Sequence, residues 1–281
     1  MFARVPASSA NLGPGFDTLA VALNLYVEVS LEESDEFSIT SAGEGAGLFD
    51  DERHLAVVVA REVLGHPRFA IHVESHIPLS RGLGSSAALA LAAAAAAGAT
   101  DPLGIATRVD GHAENAAASR VGGLVVGALR DGAPVARSLA LDDSWRFVVV
   151  IPDAQLATSD ARRVLPREVA FTDAVFNLNS MGLLIAGLAD RNAFVEGSME
   201  DALHQPYRMA LLPFSAGVLA SLTEAGASGA CWSGAGSTML GLVGVETAET
   251  VADAARSHLS CEGVAGTVQV LDADRAGLVT R

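Results

Sequence analysis

From Ala87 to Ala97 the chain holds nothing but alanine and leucine, and it enters this stretch through Pro78-Leu79-Ser80-Arg81-Gly82-Leu83-Gly84-Ser85-Ser86. Alanine is the strongest helix former, and a helix that is apolar around its whole circumference is stable only when buried on every side. The run is too short to cross a bilayer, which takes about 20 apolar residues. It predicts a central buried helix whose small side chains permit close packing.

The residues ahead of it constrain function. Gly82 and Gly84 can take positive φ and let backbone approach a ligand without Cβ interference. Ser85 and Ser86 stand where the first helical amides lack intrahelical acceptors and the helix dipole favours negative charge. Such an end holds phosphate readily, although a Gly/Ser turn before a helix is also an ordinary N-cap. The loop lacks the Lys-Ser/Thr of a Walker A motif and the spacing of a dinucleotide fingerprint. The chain contains no lysine at all, so backbone amides, arginine or a metal must offset any phosphate charge.

With 281 residues, half of them hydrophobic, the chain can bury two modest cores. The 18 basic and 33 acidic residues give a net charge of −15, which disfavours DNA, RNA and anionic membranes as partners. Cys231 and Cys261 form no metal-ligand cluster and read as free thiols, consistent with a reducing cytoplasm. Met1-Phe2-Ala3-Arg4-Val5-Pro6 lacks the basic start and apolar core of an export signal. The expectation is a soluble, cytoplasmic protein.

Pattern and turn chemistry predict strands at 2–5, 21–29, 37–40, 69–74, 124–129 and 147–151. A turn spans Ser8 to Gly15, and helices are predicted at 55–64, 83–97 and 103–119. After a polar connection at 152–160, helices are expected at 173–189, 194–202, 217–225 and 247–259, with strands at 231–232, 239–243 and 267–271. This order argues for two α+β domains, 1–152 and 153–281, without the repeat of a large barrel.

Three separated motifs carry a family resemblance. They are Pro6-Ala7-Ser8-Ser9-Ala10-Asn11-Leu12-Gly13-Pro14-Gly15-Phe16-Asp17, the loop from Pro78 to Ala88, and Ser233-Gly234-Ala235-Gly236-Ser237-Thr238. Together, in this order, they resemble the GHMP small-molecule kinases. Ser9 to Asp17, Gly111-His112-Ala113-Glu114-Asn115, Thr158-Ser159-Asp160-Ala161-Arg162 and His204-Gln205-Pro206-Tyr207-Arg208 look most like the homoserine-kinase branch. The resemblance implies an α+β chain, with a nucleotide-binding first domain like the ribosomal-protein-S5 second domain. A ferredoxin-like second domain completes the cleft. It also implies ATP as co-substrate, Mg²⁺, a small amino-acid acceptor, and transfer of the γ-phosphoryl group to the L-homoserine side-chain hydroxyl in threonine biosynthesis. A homodimer is compatible with that branch.

The same resemblance implies roles for individual residues. Asn11, Asp17, His112, Asn115, Arg162 and Arg208 would face the acceptor, with the two arginine forks suited to an α-carboxylate. Spaced three apart, His112 and Asn115 can on a helix point toward one pocket. ATP would be held by His54, by Pro78, Leu79, Ser80, Arg81, Gly82, Leu83, Gly84, Ser85, Ser86, Ala87 and Ala88, and by Gly234 and Gly236. Ser86 and Asp110 would take the metal, with Glu114 as rival carboxylate, because Asp110 stands where the branch has glutamate and is one methylene shorter. His54 and Ser237 stand where asparagine and proline are common. Without the resemblance, Asn11 reads rather as part of an Asx turn, Asp17 as a cap and His112 as a structural histidine. Asn115 stands where several of these kinases have an aspartate suited to base catalysis, so no base is assigned. Phosphorylation of another small alcohol such as mevalonate, and MgATP binding without turnover, stay open.

Overall fold

The computed structural model describes residues 1–281. The chain opens with β1 (Phe2–Asn11), β2 (Gly15–Glu33) and β3 (Ser38–Gly43), followed by α1 (Leu55–Leu64), β4 (Phe69–Ser75) and α2 (Ser85–Ala96). Next come α3 (Pro102–Asp110), α4 (Glu114–Val121), β5 (Leu124–Arg130) and β6 (Ala133–Leu139). The second half holds β7 (Trp145–Pro152), α5 (Thr158–Arg163), α6 (Phe171–Ala189), α7 (Gln205–Arg208) and α8 (Ser215–Glu224). It closes with β8 (Gly229–Trp232), β9 (Met239–Gly244), α9 (Ala248–Glu262), β10 (Gly266–Leu271) and β11 (Val279–Thr280).

The first sheet runs β11-β1-β2-β4-β3, with β5 joined to β2 and β6 to β5. Besides β1, β2 is long enough to serve two further partners, pairing β5 through Leu19 to Val21 and β4 through Val27 to Glu33. The register between β1 and β2 shifts at Ala10/Asn11, which releases the chain into a tight turn. Asn11, Leu12 and Gly13 there all have positive φ. The expected turn over 8–15 is therefore shorter than predicted, because Ser8 and Ser9 are buried strand residues.

α2 lies across this sheet and packs against β1, β2, α1, α3 and α4. Its alanines at 87, 88, 90, 92, 93, 94 and 96 are buried, as expected of a helix with no polar face.

The second sheet is antiparallel, in the order β10-β7-β9-β8. With α8 and α9 it forms β7-α8-β8-β9-α9-β10, the ferredoxin-like split βαβ arrangement. Alternate residues of β7 serve two cores. Phe147, Val149 and Ile151 join the large core with α2 and α6, while Val148 and Val150 join a second core with α8 and α9. A division by sheet falls before Trp145, one strand earlier than the boundary expected after residue 152. β11 returns to β1 in the first sheet.

Two predicted helices are corrected. The tract 103–119 is broken by Gly111, which caps α3 at φ 82° with its N–H bonded to the Thr107 carbonyl. Residues 194–202 are turns, not helix, because the Asp201 carboxylate accepts the N–H groups of Leu203, His204 and Gln205 and starts α7 instead.

Candidate active site

The three motifs meet although more than 220 positions separate the first from the last. Asn11 Nδ2 donates to the Gly234 carbonyl at 2.8 Å, and the Gly234 N–H donates to the Ala10 carbonyl at 2.9 Å. Ser233 Oγ bonds both Ser9 Oγ and the Gly82 carbonyl, at 2.8 and 2.7 Å. Glycine is required at the crossing, since a Cβ on Gly82 would stand 2.2 Å from the Ser233 carbonyl oxygen. Gly84, the left-handed cap of α2, has no more room: its Cβ would fall 2.3 Å from Ser8 Oγ and 3.0 Å from Asn115 Oδ1.

Two cavities adjoin at the N-terminus of α2 and share Ser80, Ser85 and Ser86. One, of about 240 Å³, is lined by Leu48, Phe49, His54, Leu55, Leu79 and Leu89 among others, an apolar slot fit for a planar heterocycle. His54 doubles as the cap of α1, its Nδ1 accepting from the Ala56 N–H, and burial lowers its pKa. The other cavity, of about 140 Å³, is polar and contains Asn11, Phe16, Asp17, Asp110, His112, Glu114, Asn115, Arg162, Arg208 and Gly234. Between them, the first intrahelical bond of α2 runs from the Ala88 N–H to the Gly84 carbonyl. The earlier amides are left for an anion. A larger cavity of about 910 Å³ shares no residue with either.

The polar cavity is organised around Phe16. The guanidinium carbons of Arg162 and Arg208 lie 5.5 and 5.3 Å from its ring centroid, and His204 stacks on it at 4.9 Å. Arg162 donates from Nη2 to Asp17 Oδ1 at 2.5 Å and from Nε to His112 Nε2 at 3.0 Å. The His112 proton therefore sits on Nδ1, which faces Asp110 Oδ2 at 3.4 Å. Arg208 is buried and bonds the Ala161 carbonyl through Nε, and the Gly234 carbonyl and His204 Nδ1 through Nη1. These bonds leave its Nη2 for the cavity. Burial, and the charge of Arg162, lower the Arg208 pKa to about 10, so it stays cationic at neutral pH. His204, wholly buried, is pushed down to about 4 by desolvation. It is neutral, with Nε2–H directed at the Gly13 carbonyl 2.8 Å away.

Sequence reasoning and geometry diverge at several residues. The Asn11 amide is committed to backbone at both ends, since its Oδ1 also accepts the Asp17 N–H at 3.0 Å. It shapes the acceptor turn from a buried position. Asn115 accepts from Ser8 Oγ at 2.9 Å and braces the loop below Gly84. His112 stands in the break before α4 while Asn115 is in its first turn, so they do not lie on one helix, yet both line the polar cavity. Arg81 is tied to the Pro152 and Leu79 carbonyls, joining loop to second sheet. Leu83, Ala87 and Ala88 are core, Pro78 lines neither cavity, and Gly236 packs on Trp232. Sequence reasoning passed over Phe16 and His204. Both sit inside quoted motifs, but only the tertiary contacts with the two arginines mark them out.

An all-oxygen donor set of hydroxyl and carboxylate suits a hard cation such as Mg²⁺, which keeps several waters and takes one or two carboxylates. Ser86, Asp110 and Glu114 supply such a set in one cavity. Burial, with the charges of Asp17 and Asp110, raises the Glu114 pKa to about 7, while backbone bonding and His112 act in the opposite sense.

Residues 53–128 match the GHMP kinases N terminal domain family and residues 180–261 the GHMP kinases C terminal family. A homoserine kinase of Moorella thermoacetica is 43% identical over 253 residues, covering 84% of this chain and 85% of its own. One from Gloeobacter violaceus is 40% identical over 280 residues, covering 92% of each. The crystal structure of homoserine kinase from Cytophaga hutchinsonii superposes with a TM-score of 0.87 at 28% identity, covering 99% of this chain and 96% of that one.

Proposed function

The chain belongs to the homoserine kinases of the GHMP kinase family, and from that membership we propose how its own residues carry out the transfer. The enzyme moves the γ-phosphoryl group of ATP to the side-chain hydroxyl of L-homoserine, forming O-phospho-L-homoserine and ADP, a step of threonine biosynthesis. The observation that carries the assignment of roles is the junction of the two cavities at Ser80, Ser85 and Ser86. An adenine in the apolar slot beside His54 and Leu79 extends its phosphates along the free amides of α2 toward the polar cavity. There Arg208 Nη2 takes the α-carboxylate of the acceptor, and the Asp17 oxygen not engaged by Arg162 takes its ammonium.

Phosphoryl transfer asks for alignment and charge compensation rather than a covalent enzyme intermediate. Asn11 and His204 contribute alignment, holding the acceptor turn from both sides through Gly234 and Gly13. Arg162 contributes charge and links Asp17 to His112. Mg²⁺, held by Ser86 and by Asp110 or Glu114, would neutralise charge on the phosphates. Asn115 is an amide and cannot accept the hydroxyl proton, so no side chain is assigned as base. A net charge of −15 favours small-molecule partners over polyanions. The unpaired thiols Cys231 and Cys261 support a cytoplasmic setting.

A coupled assay with Mg²⁺, ATP and separate acceptors tests this reading. L-homoserine is expected to be preferred over L-serine, L-threonine, mevalonate and shikimate. L-serine, clamped at the same head group, presents its hydroxyl one methylene short. Comparable turnover of mevalonate, which has no α-ammonium, would remove the basis for Asp17 and Arg208 as the head-group clamp.

A further inference from the structure

Six arginine side chains lie over aromatic rings, and Phe16 alone carries two of them, Arg162 and Arg208. Arg53, Arg61 and Arg191, over other rings, each also hold a carboxylate: Asp51, Glu52 and Glu246. Arg208 holds none. It is 1% exposed, and its bonds go to the Ala161 and Gly234 carbonyls and to His204, all neutral. A buried cation without a counter-ion is costly, and Arg162 carries the same sign. Resting on the kinase reading, we propose that Phe16 is a positioning residue, its ring face holding Arg162 and Arg208 together where the carboxylate of the acceptor binds.

No local geometry sets the spacing of these groups, since Phe16 comes from the start of β2, Arg162 from α5 and Arg208 from α7. The face of an aromatic ring carries partial negative charge, which attracts a cation within about 6 Å of its centroid. Both guanidinium carbons fall inside that reach. Phe16 is also the only phenylalanine, tyrosine or tryptophan lining the polar cavity. The ring is itself fixed, because His204 stacks 23° from parallel with it and is anchored on the Gly13 carbonyl. His204 is neutral, so the stack adds no third positive charge.

An aliphatic side chain of similar volume would fill the same space and supply no negative face. Repulsion would then act on two guanidinium groups of unequal freedom. Arg208 is enclosed, whereas the Arg162 side chain is 36% exposed and tied only to Asp17 and His112. Arg162 is therefore the one able to swing into water, and the ring keeps it within reach of the acceptor. Phe16, Arg162 and Arg208 line the polar cavity and not the apolar slot. The ring should accordingly bear on the acceptor and not on ATP.

Mono-, di- and trifluorophenylalanine placed at position 16 of the full chain test this, since fluorine withdraws charge from the ring face stepwise while nearly keeping its shape. KM for L-homoserine should rise along the series to about ten-fold, with kcat and KM for ATP near the values of the unaltered protein. Phe16→Leu should raise it at least as far, and Phe16→Tyr, which keeps the ring face, should stay within about three-fold. Urea unfolding without substrate reads the same contact apart from turnover. Its midpoint should fall along the fluorine series, fall less with Arg208→Met present, and stay level when Arg162→Met is added. The unfolding series holds whether or not L-homoserine is the acceptor, so failure of the kinase reading shows separately, in the turnover of the unaltered protein. Midpoints that stay level with both arginines present, or that fall equally without them, would overturn the proposal. So would a KM for L-homoserine indifferent to fluorine, or a KM for ATP rising in step with it, which would make the ring a general support of the cleft.

Discussion

Gly84 shows how much a single missing side chain decides. Its φ of 67° is one that L-residues occupy at a cost, and its neighbours leave no space for a methyl group. Gly65, the cap of α1, has a similar φ of 73° but nothing within 4 Å of a built Cβ. Comparing alanine at the two positions separates backbone strain from crowding. Gly65→Ala should cost roughly 1–2 kcal/mol, the left-handed penalty alone. Gly84→Ala should lose ~3 kcal/mol or more by adding the clash with Ser8 and Asn115, and its remaining folded fraction should use MgATP poorly. Equal losses in urea unfolding would mean that the contact yields freely. The sequence marks both positions as turn glycines, but which one is crowded depends on Ser8 and Asn115, which local spacing does not place.

The break between α3 and α4 matters more than either helix. Periodicity reads 103–119 as one helix because the apolar positions keep nearly the same phase across Gly111. The left-handed conformation of Gly111 redirects the chain, leaving Asp110 and His112 at the break and Glu114 at the buried start of α4. Glu114 carries a testable consequence of that placement. Its carboxyl, ordinarily near 4.5, is raised to about 7 in the fold, chiefly by desolvation. The folded state therefore holds a proton that the unfolded state releases. The stability from this group is present below the unfolded value and is lost as pH rises through about 7. Glu114→Gln has no such dependence. Between about pH 4.5 and about pH 8, without metal or nucleotide, stability should shift in favour of the variant by up to about 3 kcal/mol, from the 1.36 kcal/mol each pKa unit represents. A difference that stays flat with pH in thermal melts would show that Glu114 ionises freely.

Across the whole molecule, the two cores are joined by a strand that faces both. Phe147, Val149 and Ile151 of β7 cannot leave the large core while Val148 and Val150 stay in the second. The cleft is closed by the same logic, since Ser233 bonds both Ser9 and Gly82 across it. Unfolding should be one cooperative event despite the two sheets. The chain has two tryptophans, Trp145 in the large core and Trp232 in the second. Fluorescence of Trp232→Phe follows the first core and that of Trp145→Phe the second. Each variant's curve should coincide with its own circular dichroism transition. A fluorescence midpoint displaced from the ellipticity midpoint in either variant would mean that the cores separate.

What the sequence determined by itself is what depends on near neighbours. Helix α1 at 55–64 and the long alanine helix follow from propensity and from caps a few residues away. The phosphate-holding end of α2 follows from two glycines and two serines. The acidic, lysine-free composition and the three motifs need no fold to be read, and through resemblance they carry the family, the reaction and most of the cavity lining. Tertiary structure decided whatever depends on distant partners. The Asn11 amide reads as a free side chain until the Gly234 carbonyl, 223 positions away, takes one of its N–H groups. His204 reads as one more motif residue until it is found buried between Gly13 and Arg208. The run Phe147 to Ile151 reads as a strand of the first domain until both of its faces are seen covered. α6 reads only as a helix over 173–189, because apolar content is written in the sequence but how much of it the fold leaves exposed is not.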